Sequence, residues 1–154
     1  MEREKQEVTV SRLFDAPREI VYKVFTEPEH KKKWWRCNTI TNVSVEMDVR
    51  NGGLWRIVQQ DETGKQYVMY GEYLEIIPQE KIVNTYEFDG MPGHVITETT
   101  TFEDHDGKTM LTITSQFQSI EDLEGMIKAG MESGTMESLE HANELIIKLQ
   151  TITI

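Results

Sequence analysis

The sequence predicts an α+β fold in which a curved antiparallel β-sheet wraps around one long C-terminal α-helix, with two short helices after the first strand. Two observations support this. Residues 40 to 118 form strand-like segments separated by turn sequences, and the residues after about 130 place apolar side chains at alternating spacings of four and three. Because closely spaced turns join neighbouring antiparallel strands, we expect a meander that the last helix closes.

The chain begins its regular structure with a strand. Residues 8–14 alternate in the manner of a half-buried strand, and Asp15-Ala16-Pro17 ends it. Pro17 suits the first turn of a helix. The helix that follows has a stripe of apolar side chains, which we expect to be buried: Ile20, Val21, Val24 and Phe25.

A second short helix begins at Pro28 and carries a basic and aromatic cluster. The cluster resembles an anion or membrane patch, but it is short. We interpret Lys31–Lys33 as the solvated face of the helix, Trp34 as a core residue and Trp35 as a candidate gate at the mouth of a cavity.

The rest of the sheet follows from turn chemistry. Asn51-Gly52-Gly53 and Asp106-Gly107 are tight-turn sequences between apolar segments. The predicted strands are 41–50, 54–60, 66–77, 81–88, 95–104 and 108–118. The length of 154 residues suits a single domain over 1–154, with its core between about residues 8 and 149.

The long helix provides the first indication of function. Gly130 and Gly134 lie one turn apart and remove side chains from the face toward the sheet, so we expect the start of the helix to border a hollow. Further along, the face toward the sheet is filled by Thr135, Leu139, Ala142, Ile146 and Leu149.

Strand alternation indicates which side chains face that hollow. We select the more apolar phase of each strand, together with residues near the start of the long helix and the candidate gate. The predicted ligand-binding residues are Trp35, Trp55, Ile57, Met69, Gly71, Tyr73, Tyr86, Phe88, Glu98, Thr100, Ile113, Met126, Met131, Gly134 and Thr135.

Glu98 is the one carboxylate in this set. It shares a strand phase with Thr100 and Phe102, and a buried carboxylate would have a raised pKa and could act as an acid or base. The preferred interpretation is nevertheless an outward Glu98 at a twisted sheet edge. A methionine cluster at Met126, Met131 and Met136 suits a deformable pocket and ordinary core filling equally well.

Charge and cysteine content restrict the partners. The net charge of −11 argues against nucleic-acid and anionic-membrane surfaces, and no apolar segment is long enough to span a bilayer. The single cysteine, Cys37, and the polar start favour the cytoplasm. Four dispersed histidines predict no metal site, and we expect no cofactor. We expect a monomer or a weak homodimer.

Five short motifs in order resemble the C-terminal-like family of activators of the heat-shock protein 90 ATPase, in the SRPBCC, START-like superfamily. They are Ala16-Pro17-x-x-x-Val21; Glu27-Pro28-Glu29 with Trp34; Asp48-x-Arg50-x-Gly52-Gly53-x-Trp55; Gly71-x-x-x-Glu75-Ile76-x-Pro78; and Gly134 ahead of Leu139. The resemblance covers residues 8–149 and implies a helix-grip fold around a hydrophobic cavity. It also implies a frequent tryptophan where this chain has Thr135.

These observations favour a binding protein that holds an apolar small molecule between the sheet and the C-terminal helix. We predict no catalytic residue. One alternative is an enzyme of cyclase, hydrolase or dehydratase type that uses the same cavity. Another, implied by the resemblance, is an interaction module for a chaperone or regulatory protein.

Overall fold

The computed structural model describes residues 6–37 and 39–152, with side chains up to residue 150. It contains seven strands and four helices: β1 Glu7–Phe14, α1 Arg18–Thr26, α2 Pro28–Trp34, β2 Thr41–Met47, β3 Leu54–Gln60, β4 Gln66–Ile77, β5 Lys81–Phe88, β6 Ile96–His105, β7 Lys108–Gln116, α3 Ile120–Lys128 and α4 Met131–Ile152. The predicted α+β architecture is confirmed.

One antiparallel sheet contains all seven strands in the order β1-β7-β6-β5-β4-β3-β2. The first two strands therefore occupy opposite edges, and α1 and α2 connect them across the sheet. The remaining strands form the predicted meander. At its Asp106-Gly107 turn both residues have positive φ, +55° and +85°, and His105 pairs directly with Lys108. Positive φ at both central positions is typical of a two-residue hairpin.

Helix α4 packs across the concave side of the sheet through the predicted stripe. Leu139, Ala142 and Ile146 are at most 1% exposed and join a core that includes Phe14 and Phe102. Beside this stripe, Arg12 of β1 forms a 2.8 Å ion pair with Glu140. The helix thus contacts the sheet through apolar side chains and its edge strand through a polar contact.

The end of the chain differs from the prediction in one element. The sequence analysis assigned no helix to residues 120–128, which form α3. Ser119 caps it by accepting a hydrogen bond from the Asp122 backbone, and Gly130, with φ of +86°, separates it from α4. Gly130 therefore lies between two helices and not within the long one. Its left-handed conformation is the one that favours glycine.

The strands β3, β4 and β5 have the predicted bounds, and the others differ by one to three residues, most at β2, which ends at Met47 and not at residue 50. Asp48 and Arg50 belong to the following turn and form an exposed 2.8 Å ion pair with each other. Within the described residues, no helix is long and apolar enough to cross a membrane.

Candidate functional site

A cavity of about 470 Å³ lies between the concave face of the sheet and helices α2, α3 and α4. The strands contribute alternate side chains from β1 and from β3 to β7, because side chains of one phase share one face of a sheet. The helices contribute residues from the C-terminal parts of α1, α2 and α3 and from the first part of α4. At the start of α4, Gly134 and Thr135 border the space where larger side chains would otherwise fill it.

The cavity wall includes all of the predicted ligand-binding residues except Ile57 and Gly71. Ile57 is 1% exposed and packed within the main core beside Met69, its partner on β4. A Cβ atom on Gly71 would lie 1.9 Å from the Thr85 carbonyl oxygen and 2.6 Å from Nε1 of Trp55. The Trp55 indole therefore covers Gly71, which does not reach the cavity.

Three aromatic side chains form one wall. Trp35 contacts Trp55 and Tyr86 edge-on, with ring centroids 6.3 Å and 6.2 Å apart, and the last two rings lie 5.8 Å from each other. Such tilted and edge-to-face pairs are favourable for aromatic rings. Trp34 also borders the cavity, but it is only 3% exposed, packs against Phe25 and donates a 2.8 Å hydrogen bond to the Val24 carbonyl, which confirms it as core.

The segment that carries Trp35 is fixed by side-chain hydrogen bonds. Gln59 donates to the Trp35 carbonyl at 2.8 Å, and Asn42 donates to the same carbonyl and to that of Lys32 at 3.2 Å and 2.8 Å. These bonds satisfy carbonyls at the C-terminus of α2. From α4, Ser138 donates to the Arg36 carbonyl at 3.1 Å. The position of the Trp35 ring is therefore determined by β2, β3 and α4 together.

A polar row crosses the apolar floor of the cavity. Tyr73 pairs with Asn84, Asn84 with Glu98, and Glu98 with Ser115, so that one side chain from each of β4, β5, β6 and β7 follows the next in register. All four border the cavity. Asn84 donates hydrogen bonds to the Thr85 carbonyl at 3.0 Å and to Glu98 Oε1 at 3.4 Å.

Glu98 points into the cavity, so the preference for an outward orientation was wrong. The register places it in the centre of the sheet, between β5 and β7, and not at an edge. Burial raises the pKa of its carboxyl group, while the positive charge of Lys31 and the hydrogen bond from Asn84 oppose part of that increase.

Lys31 also lines the cavity, so the prediction that it lies on the solvated face of α2 was wrong; Lys32 and Lys33 are exposed as predicted. Its Nζ atom lies 5.4 Å and 5.2 Å from the ring centroids of Trp34 and Trp35. Burial lowers the pKa of the Lys31 amine to about 8, and the charge of Glu98 opposes part of that decrease.

The two tyrosines beside Glu98 are held in the neutral form. Burial raises the pKa of Tyr73 and of Tyr86, and the negative charge of Glu98 adds to the increase for both. A neutral phenol can donate one hydrogen bond and accept others. The floor of the cavity therefore offers donors and acceptors beside one carboxyl group and one amine.

The end of the cavity near α3 is more apolar. Met126 and Met131 border the space, with Cys37 across from Gly134. Outside them, His94 of the β5–β6 loop and Asp122 of α3 form a 2.8 Å contact. Burial, and then the charge of Glu137, raise the pKa of the Cys37 thiol. This disfavours the thiolate that a nucleophilic cysteine requires.

Several cavity residues were missed, among them Asn84 and Lys31, for which the sequence contained a signal. Asn84 shares the strand phase of Tyr86 and Phe88, and Lys31 lies three and four residues before Trp34 and Trp35. Both spacings indicate a shared face. Within the described ranges, no three His, Cys, Asp or Glu side chains are grouped so that they could hold a metal ion.

Comparisons with known proteins agree with this geometry. Solved structures superpose closely: a protein from Chromobacterium violaceum has 26% identity and a TM-score of 0.81, covering 92% of this chain and 96% of its own. One from Nitrosomonas europaea has 21% identity and a TM-score of 0.87, covering 95% and 97%. No curated protein matches the chain significantly. The sequence model described as activator of Hsp90 ATPase homolog 1-like protein matches residues 15–145, so the chain belongs to that family.

Proposed function

We propose that the protein binds a small molecule with a largely apolar body and one polar group inside the cavity. The observation that carries this proposal is the polar row of Tyr73, Asn84, Glu98 and Ser115 across the floor of an otherwise aromatic and aliphatic space of about 470 Å³. Ligand sites typically combine an apolar lining with a few convergent polar groups. The family is also known for ligand binding.

The shape of the wall supports a preformed site. Trp35, Trp55 and Tyr86 pack against one another, and the hydrogen bonds of Asn42 and Gln59 hold the Trp35 backbone in place. A wall that is already ordered loses little conformational entropy when a ligand binds. The apolar end at Met126 and Met131 accommodates ligands of different shape, because methionine side chains are flexible.

The test is binding of an apolar fluorescent probe to the folded protein. We expect saturation near one probe per chain, displacement by amphipathic small molecules, and weaker binding by Thr100→Leu, which replaces a cavity hydroxyl by a larger apolar group. The matched control is Thr101→Leu on the other face of β6, outside the cavity lining. Probe binding that appears only in partly unfolding denaturant would contradict the proposal.

The inward pair of Glu98 and Lys31 favours a second candidate, an enzyme that moves protons on the bound molecule. A carboxyl of raised pKa and an amine of lowered pKa exchange protons closer to neutral pH than ordinary side chains do. Turnover of a candidate ligand that Glu98→Gln abolishes without loss of binding would support this function over simple binding.

The family description separately supports interaction with a chaperone ATPase. The direct test is the ATPase rate of a purified heat-shock protein 90 with and without this chain. Stimulation that a cavity-blocking ligand leaves unchanged would place that activity outside the cavity.

A further inference from the structure

Lys31 is a partly buried amine for which simple packing is an incomplete explanation. It lies in the second short helix, directly before the exposed Lys32 and Lys33, yet its side chain turns inward to the cavity beside Trp34 and Trp35. Aromatic faces attract a cation, but burial of an ammonium group opposes that gain. An apolar side chain of the same length would cover the two rings without the cost of burying a charge.

The amine is also chemically available. In the described part of the chain Lys31 has no ion pair within 4.0 Å and no side-chain hydrogen bond, whereas the cavity gives it open space on one side. The Asn84 amide, by contrast, is engaged with Glu98 and the Thr85 carbonyl. A lysine amine removed from water in a pocket is one of the arrangements that activates it as a nucleophile toward carbonyl groups.

We propose that the Nζ atom of Lys31 forms a reversible imine with an aldehyde held in the cavity. This inference rests on the proposed function and names its ligand class: an aldehyde with an apolar chain or ring. The carbonyl group would lie beside Lys31 and the polar row, and the apolar body would extend toward Met126 and Met131.

The step balances without an oxidant or a cofactor. The lone pair of neutral Nζ attacks the carbonyl carbon, the carbonyl oxygen takes up a proton, and the nitrogen loses one, which gives a carbinolamine. The nitrogen lone pair then forms the C=N bond as the hydroxyl group leaves with a second proton as water, which gives a protonated imine. Loss of the remaining N–H proton returns the second proton and gives the neutral imine. Glu98, in the same cavity, is the group suited to carry these protons between nitrogen and oxygen, and water reverses the reaction.

The protonation equilibrium at Lys31 favours reaction more than that of an ordinary lysine does. With a pKa of about 8, roughly half of Lys31 is neutral at pH 8. A lysine at the ordinary value of 10.5 is neutral in well under ~1% of molecules at that pH, so the share of reactive amine is on the order of 100-fold larger at Lys31.

The experiment uses decanal as the probe and sodium cyanoborohydride to reduce any imine to a stable secondary amine at pH 8. Intact mass and peptide mapping then locate the adduct. We expect about one decyl group per chain, on Lys31, with modification of Lys32 and Lys33 at least ~10-fold lower. Equal labelling of Lys31 and the exposed lysines would overturn the proposal.

Two variants separate chemistry from packing. Lys31→Arg keeps the charge but not the nucleophile, and Lys31→Met keeps the length without charge; we expect both to lose the adduct. The matched control, Lys32→Met on the exposed face of α2, should label as the parent does. Thermal melts show whether each variant is folded. If a variant unfolds, the peptide map of the parent protein still shows whether Lys31 carries the adduct.

Decanol distinguishes this inference from the proposed function, because it has the same chain without the carbonyl. If decanol displaces the fluorescent probe but decanal gives no adduct at Lys31, binding stands and the imine is wrong. If the probe does not bind the folded protein saturably and no adduct forms at Lys31, both proposals are wrong.

Discussion

Nε1 of Trp55 donates a 3.1 Å hydrogen bond to the Thr85 carbonyl oxygen across the face of Gly71. Trp55 lies on β3, Gly71 on β4 and Thr85 on β5, so one indole spans three neighbouring strands. The contact fixes the ring that forms the wall of the cavity. It requires a residue without a side chain on the central strand, because a Cβ atom there would overlap both partners.

The first prediction tests this relationship. Gly71→Ala places a methyl group against the Thr85 carbonyl and Trp55 Nε1, so we expect it to lower the free energy of unfolding by ~1 to 3 kcal/mol. Chemical denaturation measures the change. The control is Gly125→Ala in α3, which meets no atom within 4 Å and should stabilise by up to ~1 kcal/mol through helix propensity. Similar effects at both positions would contradict the close approach.

The sequence predicted the parts of this site that depend on local periodicity. Alternation along β3 to β7 placed Tyr73, Tyr86 and Ile113 on the cavity wall, because the two-residue period of a strand is independent of its neighbours. The orientation of Glu98 was missed although the predicted meander already places β6 between β5 and β7. A carboxylate favours solvent on average, and the cavity that accommodates this one forms only when helices distant in sequence pack on the sheet.

The helices show a similar limit. The stripe of Leu139, Ala142 and Ile146 was clear from its period, whereas in the seven residues of α2 the spacing of Lys31 to Trp34 and Trp35 was the single periodic signal and was outweighed by the charge of the lysine. Lys31 was therefore interpreted by its charge, which favours solvent on average. Only the packing of α2 between the sheet and α4 shows that this amine borders a cavity.

The second prediction concerns a buried hydrogen bond beside α1. Thr109 Oγ1 donates at 2.7 Å to the Ala16 carbonyl, and the two residues are 0% and 2% exposed. Thr109→Val leaves that carbonyl without its donor at nearly constant volume, so we expect a loss of ~1 to 3 kcal/mol in denaturant unfolding.

Thr112→Val is the control for this bond, because the Thr112 hydroxyl pairs with Ser11 at the surface at 3.1 Å. We expect a change within ~0.5 kcal/mol there. A comparable loss for both variants would mean that the Thr109 hydroxyl has no special role at the start of α1.

The third prediction follows from the buried carboxyl group. The pKa of Glu98 is raised in the folded state. Its contribution to the free energy of unfolding is therefore fully present below the ordinary Glu pKa of 4.5 and is lost as pH rises through the folded value. Glu98→Gln should therefore be more stable than the parent at pH 7, by ~1.4 kcal/mol for each unit of upward shift, and the difference should vanish below about pH 4.5.

Denaturation at several pH values between 4 and 8 measures this difference, and a carbon-detected titration of the Glu98 carboxyl group gives its pKa directly. Glu103→Gln, at the exposed end of β6, is the matched control and should change stability by less than ~0.5 kcal/mol at every pH. A Glu98 titration at the ordinary value would exclude the predicted pH dependence.

The last prediction uses Thr135, which lies on the cavity wall one helical turn from both Met131 and Leu139. Family relatives, by the resemblance noted above, often have tryptophan after the helix glycine, and the cavity of about 470 Å³ leaves room for an indole. We expect Thr135→Trp to fold, to gain ~1 to 3 kcal/mol from apolar burial, and to reduce probe binding at least ~10-fold because the ring occupies the ligand space.

The control is Met136→Trp, since Met136 is 44% exposed and its side chain does not border the cavity. That variant should bind the probe as the parent does. If Thr135→Trp is instead destabilised by ~1 to 3 kcal/mol, the indole overpacks a site that neighbouring side chains already fill. A destabilised Thr135→Trp with unchanged probe binding would show that the probe does not approach this helix turn. An indole at position 135 would collide with any molecule bound against that turn.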